Sequence, residues 1–314
     1  MIQDIGAIAL GLVLLAFAGD WLVKGAVNLA LRLGIPALVV GLTVVAFGTS
    51  APELLVSVKA TLDGLPGIAL GNVVGSNIAN VLLVIGIPAL ITVLHTSRLD
   101  TRQSYITMLG ASVLFTALAF VGTFRWWGGL ILLAVLAFTL WQSYVHTVRH
   151  RAAAEAENEI EGAAPGLSAW WIGGYLAAGL VGLPLGAQFL VEGAVDIART
   201  FGVSEAAIGL TLVAVGTSLP ELATTVMAAI RKSADVALGN VIGSNMFNLL
   251  GIIGVTALIA PVPVDASFLR LDLWVMLGTS LLIAPFIFGR RDIGAGVGAL
   301  FMSGYAAYVV VLLM

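Results

Sequence analysis

GLTVVAFGTSAPELLVSV, residues 41–58, returns as GLTLVAVGTSLPELATTV, residues 209–226. A second stretch behaves the same way: ALGNVVGSNIANVL at 69–82 reappears as ALGNVIGSNMFNLL at 237–250, and every pair lies 168 residues apart without a gap. The register extends back to Val23-Lys24-Gly25-Ala26-Val27 against Val191-Glu192-Gly193-Ala194-Val195. Self-similarity at a fixed offset marks a duplication, so the chain is two related halves.

Both halves belong in a membrane. Of 314 residues 60% are hydrophobic and 10% charged, with a mean hydropathy of +1.08, against roughly 25% charged in an average soluble domain. A span needs about 20 mostly apolar residues, and the apolar runs place spans near 3–30, 36–59, 68–94, 104–122, 127–147, 170–198, 206–230, 236–260, 271–288 and 292–313. The expected fold is an all-α polytopic membrane protein of about ten transmembrane helices. Residues 1–147 form the first five-helix repeat, 148–169 a linker and 170–314 the second repeat. An odd number of spans per half forces the halves into opposite orientations, the inverted-repeat plan of many secondary transporters.

Arg149, Arg151, Glu155, Glu157, Glu159 and Glu161, followed by Pro165-Gly166, give the linker its charged, solvated character; a regulatory segment is the alternative. Arg32, Arg98, Arg102, Arg149, Arg151, Arg231, Lys232, Arg290 and Arg291 fall on one side of the membrane, and Lys59, Arg125, Arg199 and Arg270 on the other. The positive-inside rule then puts the linker in the cytoplasm and both termini outside. Ala16-Phe17-Ala18 resembles a signal-peptide cleavage site, but Asp4 stands where a basic segment is needed and the stretch has a partner in the second half. It reads as part of the first span. Trp126, Trp127, Trp170 and Trp171 read as interfacial belt residues.

Composition excludes several functions. A net charge of −3 with no basic, aromatic-interleaved stretch argues against nucleic acid. With no cysteine there is no disulfide, thiol nucleophile or Cys metal site, and His95, His146 and His150 lie near span ends. No soluble catalytic domain fits in the remaining length, and nothing points to a protein partner or a resident cofactor. The bilayer is the expected surrounding.

The chemistry sits at mid-span. Gly48-Thr49-Ser50-Ala51-Pro52-Glu53 interrupts the second span and Gly216-Thr217-Ser218-Leu219-Pro220-Glu221 the seventh. Proline removes a backbone donor, and an interrupted helix is tolerated at membrane depth where it lines a cavity. Freed carbonyls there can coordinate a cation, with Ala46 and Ala214 as candidates. A mid-membrane carboxylate costs at least about 2.5–3.5 kcal/mol on insertion scales and is normally functional. The chain accepts this at Glu53 and again at Glu221, with no Lys or Arg inside either span to pair with them. Mobile cations or protons are then the compensating charge. Two protonated glutamates bonded to neighbouring hydroxyls would be the purely structural alternative.

Asn72, Ser76 and Asn80 recur every four residues, as do Asn240, Ser244 and Asn248, which keeps each set near one helical face. Ser76, Asn80, Ser244 and Asn248 read as site-lining, because an inverted pseudo-two-fold brings them level with the glutamates. Asn72, Asn240, Asn77 and Asn245 are candidates for the same role or for hydrogen-bond glue between helices. All the ligands are hard oxygens, which suits Ca²⁺ or alkali ions; Na⁺ could occupy subsets of the same oxygens and compete. Asp20 with Lys24 reads as a snorkelling end pair, with Gln188 and Glu192 as counterparts. Asp63 and Asp235 read as solvated loop residues.

These motifs resemble those of the cation/Ca²⁺ exchangers, and most closely their prokaryotic Na⁺/Ca²⁺ exchanger branch, over essentially the whole chain. The resemblance implies that Glu53 and Glu221 bind Ca²⁺ and Na⁺ with Thr49, Ser50, Ser76, Thr217, Ser218, Ser244 and the carbonyls of Ala46 and Ala214. It also implies that spans one and six slide as a pair over the other eight, in a prokaryotic inner membrane. Some members carry Asp where this chain has Asn248; the neutral pair Asn80 and Asn248 leaves two formal negatives and disfavours K⁺ cotransport. The expected function is Ca²⁺/Na⁺ antiport, with Ca²⁺/H⁺ antiport as the alternative. An intramembrane enzyme lacks a buried activating base for Ser50 or Ser218, and a passive channel does not call for inverted halves with broken helices.

Overall fold

A computed structural model describes residues 1–96, 99, 101–149, 166–202 and 214–313. The first span is a 32-residue helix, Ile2–Leu33, closed by Gly34 at φ 62°, whose N–H bonds back to the last turn as a left-handed C-cap requires. The second is broken: Ala37–Thr49 and Ala51–Leu62 meet at 42°. Pro66–Ile91 forms the third span, Arg102–Ala119 the fourth and Trp126–Arg149 the fifth. Ala169–Thr200 is the sixth, Ala214–Thr217 and Leu219–Ile230 are the described part of the seventh, and Ala234–Ile259, Phe268–Gly289 and Ala295–Leu313 complete the second half.

Seven described helices are long and apolar enough to cross a membrane, and the bent pair makes eight. The two remaining expected spans differ for separate reasons. Arg102–Ala119 is an 18-residue helix whose first turn, Arg102-Gln103-Ser104, lowers its hydropathy. The seventh span is described only from Ala214, and the expected stretch 206–213 lies outside the described residues. Most of the expected linker lies outside them too; the fifth helix runs on to Arg149 and the sixth begins at Ala169, so both helices reach slightly into it.

Two small bridges display the inversion. Thr123–Phe124, after the fourth span, pairs antiparallel with Val262–Pro263, after the eighth. Leu94, after the third span, pairs with Ile293, before the tenth. Shifted by the repeat offset, Leu94 becomes Val262, and Phe124, the partner of Val262, becomes Asp292, next to Ile293, so the two bridges are images of each other to within one residue. The halves are therefore related by an axis in the membrane plane.

Burial separates centre from rim. The third and eighth spans are 78% and 72% buried, while the first, sixth and tenth are 28%, 22% and 11%. The first and sixth spans run antiparallel in close contact: a Cβ on Gly179 would lie 2.6 Å from Leu22 Cβ and 2.9 Å from the Ala18 carbonyl. Small residues let two membrane helices approach this closely. Trp126 and Trp171 are each 63% exposed and Trp170 is 91% exposed.

Candidate cation site

The two breaks match. Ser50 takes φ −84°, ψ 3° and Ser218 φ −87°, ψ 3°, and each is followed by a helix with Pro in its first turn, where a missing N–H costs no bond. That places Glu53 and Glu221 in the first turns beyond the breaks, both 0% exposed, at helix N-termini whose partial positive charge favours an anion. Ser50 Oγ donates to Glu221 Oε1 at 3.1 Å, so the first repeat's break contacts the second repeat's carboxylate.

The central helices hold these loops from behind in a symmetric pattern. Asn72 Nδ2 donates to the Glu53 carbonyl at 3.2 Å and to Ser57 Oγ at 3.0 Å. Its image Asn240 Nδ2 donates to the Glu221 carbonyl at 3.3 Å and to Thr225 Oγ1 at 3.1 Å. Their other ends accept from the opposite repeat: Thr49 Oγ1 to Asn240 Oδ1 at 3.1 Å, and Thr217 Oγ1 to Asn72 Oδ1 at 3.5 Å. Thr49 Oγ1 also lies 3.4 Å from Ser244 Oγ. A hydroxyl whose proton is engaged in this way presents its lone pairs elsewhere.

Six buried side-chain oxygens have no hydrogen-bond partner: both of Glu53, Oε2 of Glu221, Oγ of Ser218, and Oδ1 of Asn80 and Asn248. Buried polar atoms are normally paired. The six come from four helical segments of both repeats, and five of them are acceptors only. Among the described residues no three His, Cys, Asp or Glu side chains converge, so the donor set is two carboxylates with neutral oxygens. A hard cation satisfies such a set, and Ca²⁺ takes 6–8 oxygens.

Thr49, Ser50, Ser218, Ser244 and Asn248 are all buried in this centre, as is Asn80, while Ser76 is buried one turn before Asn80 on the same face. Thr217 borders a cavity of about 200 Å³ that it shares with Pro52, Pro184, Gln188, Val191 and Gly216. The Ala46 carbonyl is not released by the break: it accepts the Ser50 N–H at 3.0 Å and lies 3.3 Å from Thr49 Oγ1, because proline's missing donor falls two residues further on. Ala214 opens the described part of the seventh span. Both signature glycines lie beneath the sixth span, where a Cβ would meet Leu180 Cδ2 at 1.9 Å over Gly48 and Val191 Cγ2 at 2.4 Å over Gly216.

The Asp20–Lys24 pairing is corrected. Asp20 instead binds the Arg231 guanidinium at 2.5 Å, and Lys24 Nζ sits 4.6 Å above the Tyr175 ring. Asp20 faces the end of the seventh span, where Arg231 offers two donors to one carboxylate. Gln188 does pair with Glu192, at 2.8 Å.

The model of the family described as sodium/calcium exchanger protein matches residues 4–145 and 171–314. The chain belongs to that family. It is 35% identical to the sodium/calcium exchanger MaX1 of Methanosarcina acetivorans, with 96% of each chain covered. It is 37% identical to the putative antiporter CaxA of Alkalimonas amylolytica, again over 96% of each. A solved structure of the sodium-calcium exchanger NCX_Mj, soaked with Na⁺ and Ca²⁺, superposes with a TM-score of 0.85 at 32% identity over 100% of both chains. As a sodium/calcium exchanger family member the protein is an integral, multi-pass ion transporter.

Proposed function

We propose that the protein is an antiporter exchanging Ca²⁺ for Na⁺ at one central site built on Glu53 and Glu221. The observation that carries this reading is the enclosure of six partnerless oxygens from both repeats around two carboxylates. Thr49, Ser50, Ser76, Thr217, Ser218, Ser244, Asn80, Asn248, the Ala214 carbonyl and the second lone pair of the Ala46 carbonyl, whose first accepts the Ser50 N–H, complete the proposed ligand set. Two carboxylates match the charge of one divalent ion, and Na⁺ ions that take subsets of the same oxygens must compete with it. Competition for one site couples the two fluxes without a separate device. The relatives' names support the same pair of ions.

Alternating access follows from the division into centre and rim. The first and sixth spans, packed backbone to backbone, slide as a unit over the central helices, moving Leu180 and Val191 across Gly48 and Gly216. The linker lies in the cytoplasm and both termini outside, a reading supported by the asymmetry of Lys and Arg. A prokaryotic plasma membrane is the assigned location.

The test is ⁴⁵Ca²⁺ uptake into proteoliposomes with the membrane potential clamped, comparing an outward Na⁺ gradient with an outward H⁺ gradient. Uptake with Na⁺ alone is expected. Uptake with H⁺ alone would replace this reading by Ca²⁺/H⁺ antiport.

A further inference from the structure

Asn80 and Asn248 are unusual among the site's oxygens because each is one end of an amide whose other end is a donor. Rotated by half a turn, either amide would aim its NH₂ at the cation and repel it. The two ends of an amide are told apart by their partners, and here the partners come from the opposite repeat. Asn80 Nδ2 donates to Asn245 Oδ1 at 3.0 Å, and Asn248 Nδ2 donates to Asn77 Oδ1 at 3.2 Å.

The partners are themselves held. Asn77 Nδ2 donates to the Asn245 carbonyl at 3.3 Å and lies 4.0 Å from Met276 Sδ, and Asn245 Nδ2 points at Met108 Sδ at 3.8 Å. With their donor ends so engaged, Asn77 and Asn245 can only offer oxygen to the neighbouring amide. All four side chains are at most 1% exposed, so no bulk water competes for those bonds. The result is that Asn80 Oδ1 and Asn248 Oδ1 are left partnerless. Interhelical packing alone would leave the orientation of the site amides open.

We infer that Asn77 and Asn245 are positioning residues that lock the Asn248 and Asn80 amides with oxygen, not NH₂, toward the transported cation. The inference rests on the exchange site proposed above. It makes each repeat's ligand amide dependent on the other repeat, three residues from that repeat's own ligand.

A substitution cycle separates positioning from packing, because a carboxylate has oxygen at both ends and needs no lock. Equilibrium ⁴⁵Ca²⁺ binding to the purified full-length protein is measured for wild type, Asn77→Ala, Asn248→Asp and the double variant, alongside thermal melting. Asn77→Ala is expected to weaken Ca²⁺ binding roughly tenfold, the equivalent of about 1.4 kcal/mol. In the Asn248→Asp background the same change is expected to weaken it less than about twofold, because either carboxylate oxygen can face the cation, although the same side-chain volume is lost. The mirror cycle, Asn245→Ala with Asn80→Asp, is expected to behave likewise and serves if either member of the first pair fails to fold. Equal losses in both backgrounds, or no loss from Asn77→Ala, would overturn the positioning role while leaving the exchange site standing. Wild-type protein that binds no Ca²⁺ would overturn the site, and the positioning role with it.

Discussion

At Ser50 and Ser218 the two repeats adopt backbone angles within a few degrees of each other, yet at positions 20 and 188 they have parted company. Asp20 holds Arg231 with both partners about one-fifth exposed, tying the rim helix of one repeat to the end of a core span of the other. The image of that contact joins Gln188 to Asp63, which cannot form an ion pair. Instead the cavity beside Thr217 reaches Gln188. The same sequence has therefore been kept where both repeats line the proposed site and released at the ends of the spans. A symmetric centre can bind the same cation from either side, whereas asymmetric ends favour one side being closed.

The strongest way to break this comparison is at its centre. Glu53→Gln and Glu221→Gln should each reduce Na⁺-driven ⁴⁵Ca²⁺ flux at least about a hundredfold, roughly 2.7 kcal/mol, and by similar factors. A large inequality would mean that the carboxylates are not equivalent. The next largest effect belongs to the rim. Gly179→Val forces side-chain atoms into Leu22 and Ala18, and overpacking of this kind costs about 1–3 kcal/mol; it should appear as a lowered Tm with Ca²⁺ binding at the centre retained. The smallest effect is at the asymmetric end. Asp20→Asn removes a partly exposed ion pair worth no more than about 1 kcal/mol, so the Ca²⁺ KM at the two faces should diverge from wild type by up to about fivefold, in opposite directions. Asp20→Arg with Arg231→Asp should restore it.

What the sequence made legible was whatever the duplication recorded twice. The offset shared by Glu53 with Glu221 and by Asn80 with Asn248 disclosed both the inversion and the candidate ligands, because independent drift would have erased such pairs. Contacts between unlike positions left no such record. Asp20 is four residues from Lys24 but binds a residue on the seventh span, since the first helix turns that face toward the core. The Ala46 carbonyl, a candidate beside a helix break, keeps its bond to the Ser50 N–H, because the carbonyl left unserved by the missing N–H of Pro52 is that of Gly48, two residues further on. The exchange of amide partners between Asn77 with Asn248 and Asn245 with Asn80 depends on how the third and eighth spans cross. Periodicity along one helix cannot report that crossing, only that all four residues are polar and deep.

The most direct test of a site shared between repeats is the stoichiometry of ⁴⁵Ca²⁺ bound to purified protein at equilibrium, for wild type, Glu53→Gln and Glu221→Gln. The shared site predicts one Ca²⁺ per wild-type chain and none for either variant at the same concentration. Two Ca²⁺ per wild-type chain, with one remaining in each variant, would mean that each repeat carries its own site and would contradict the account.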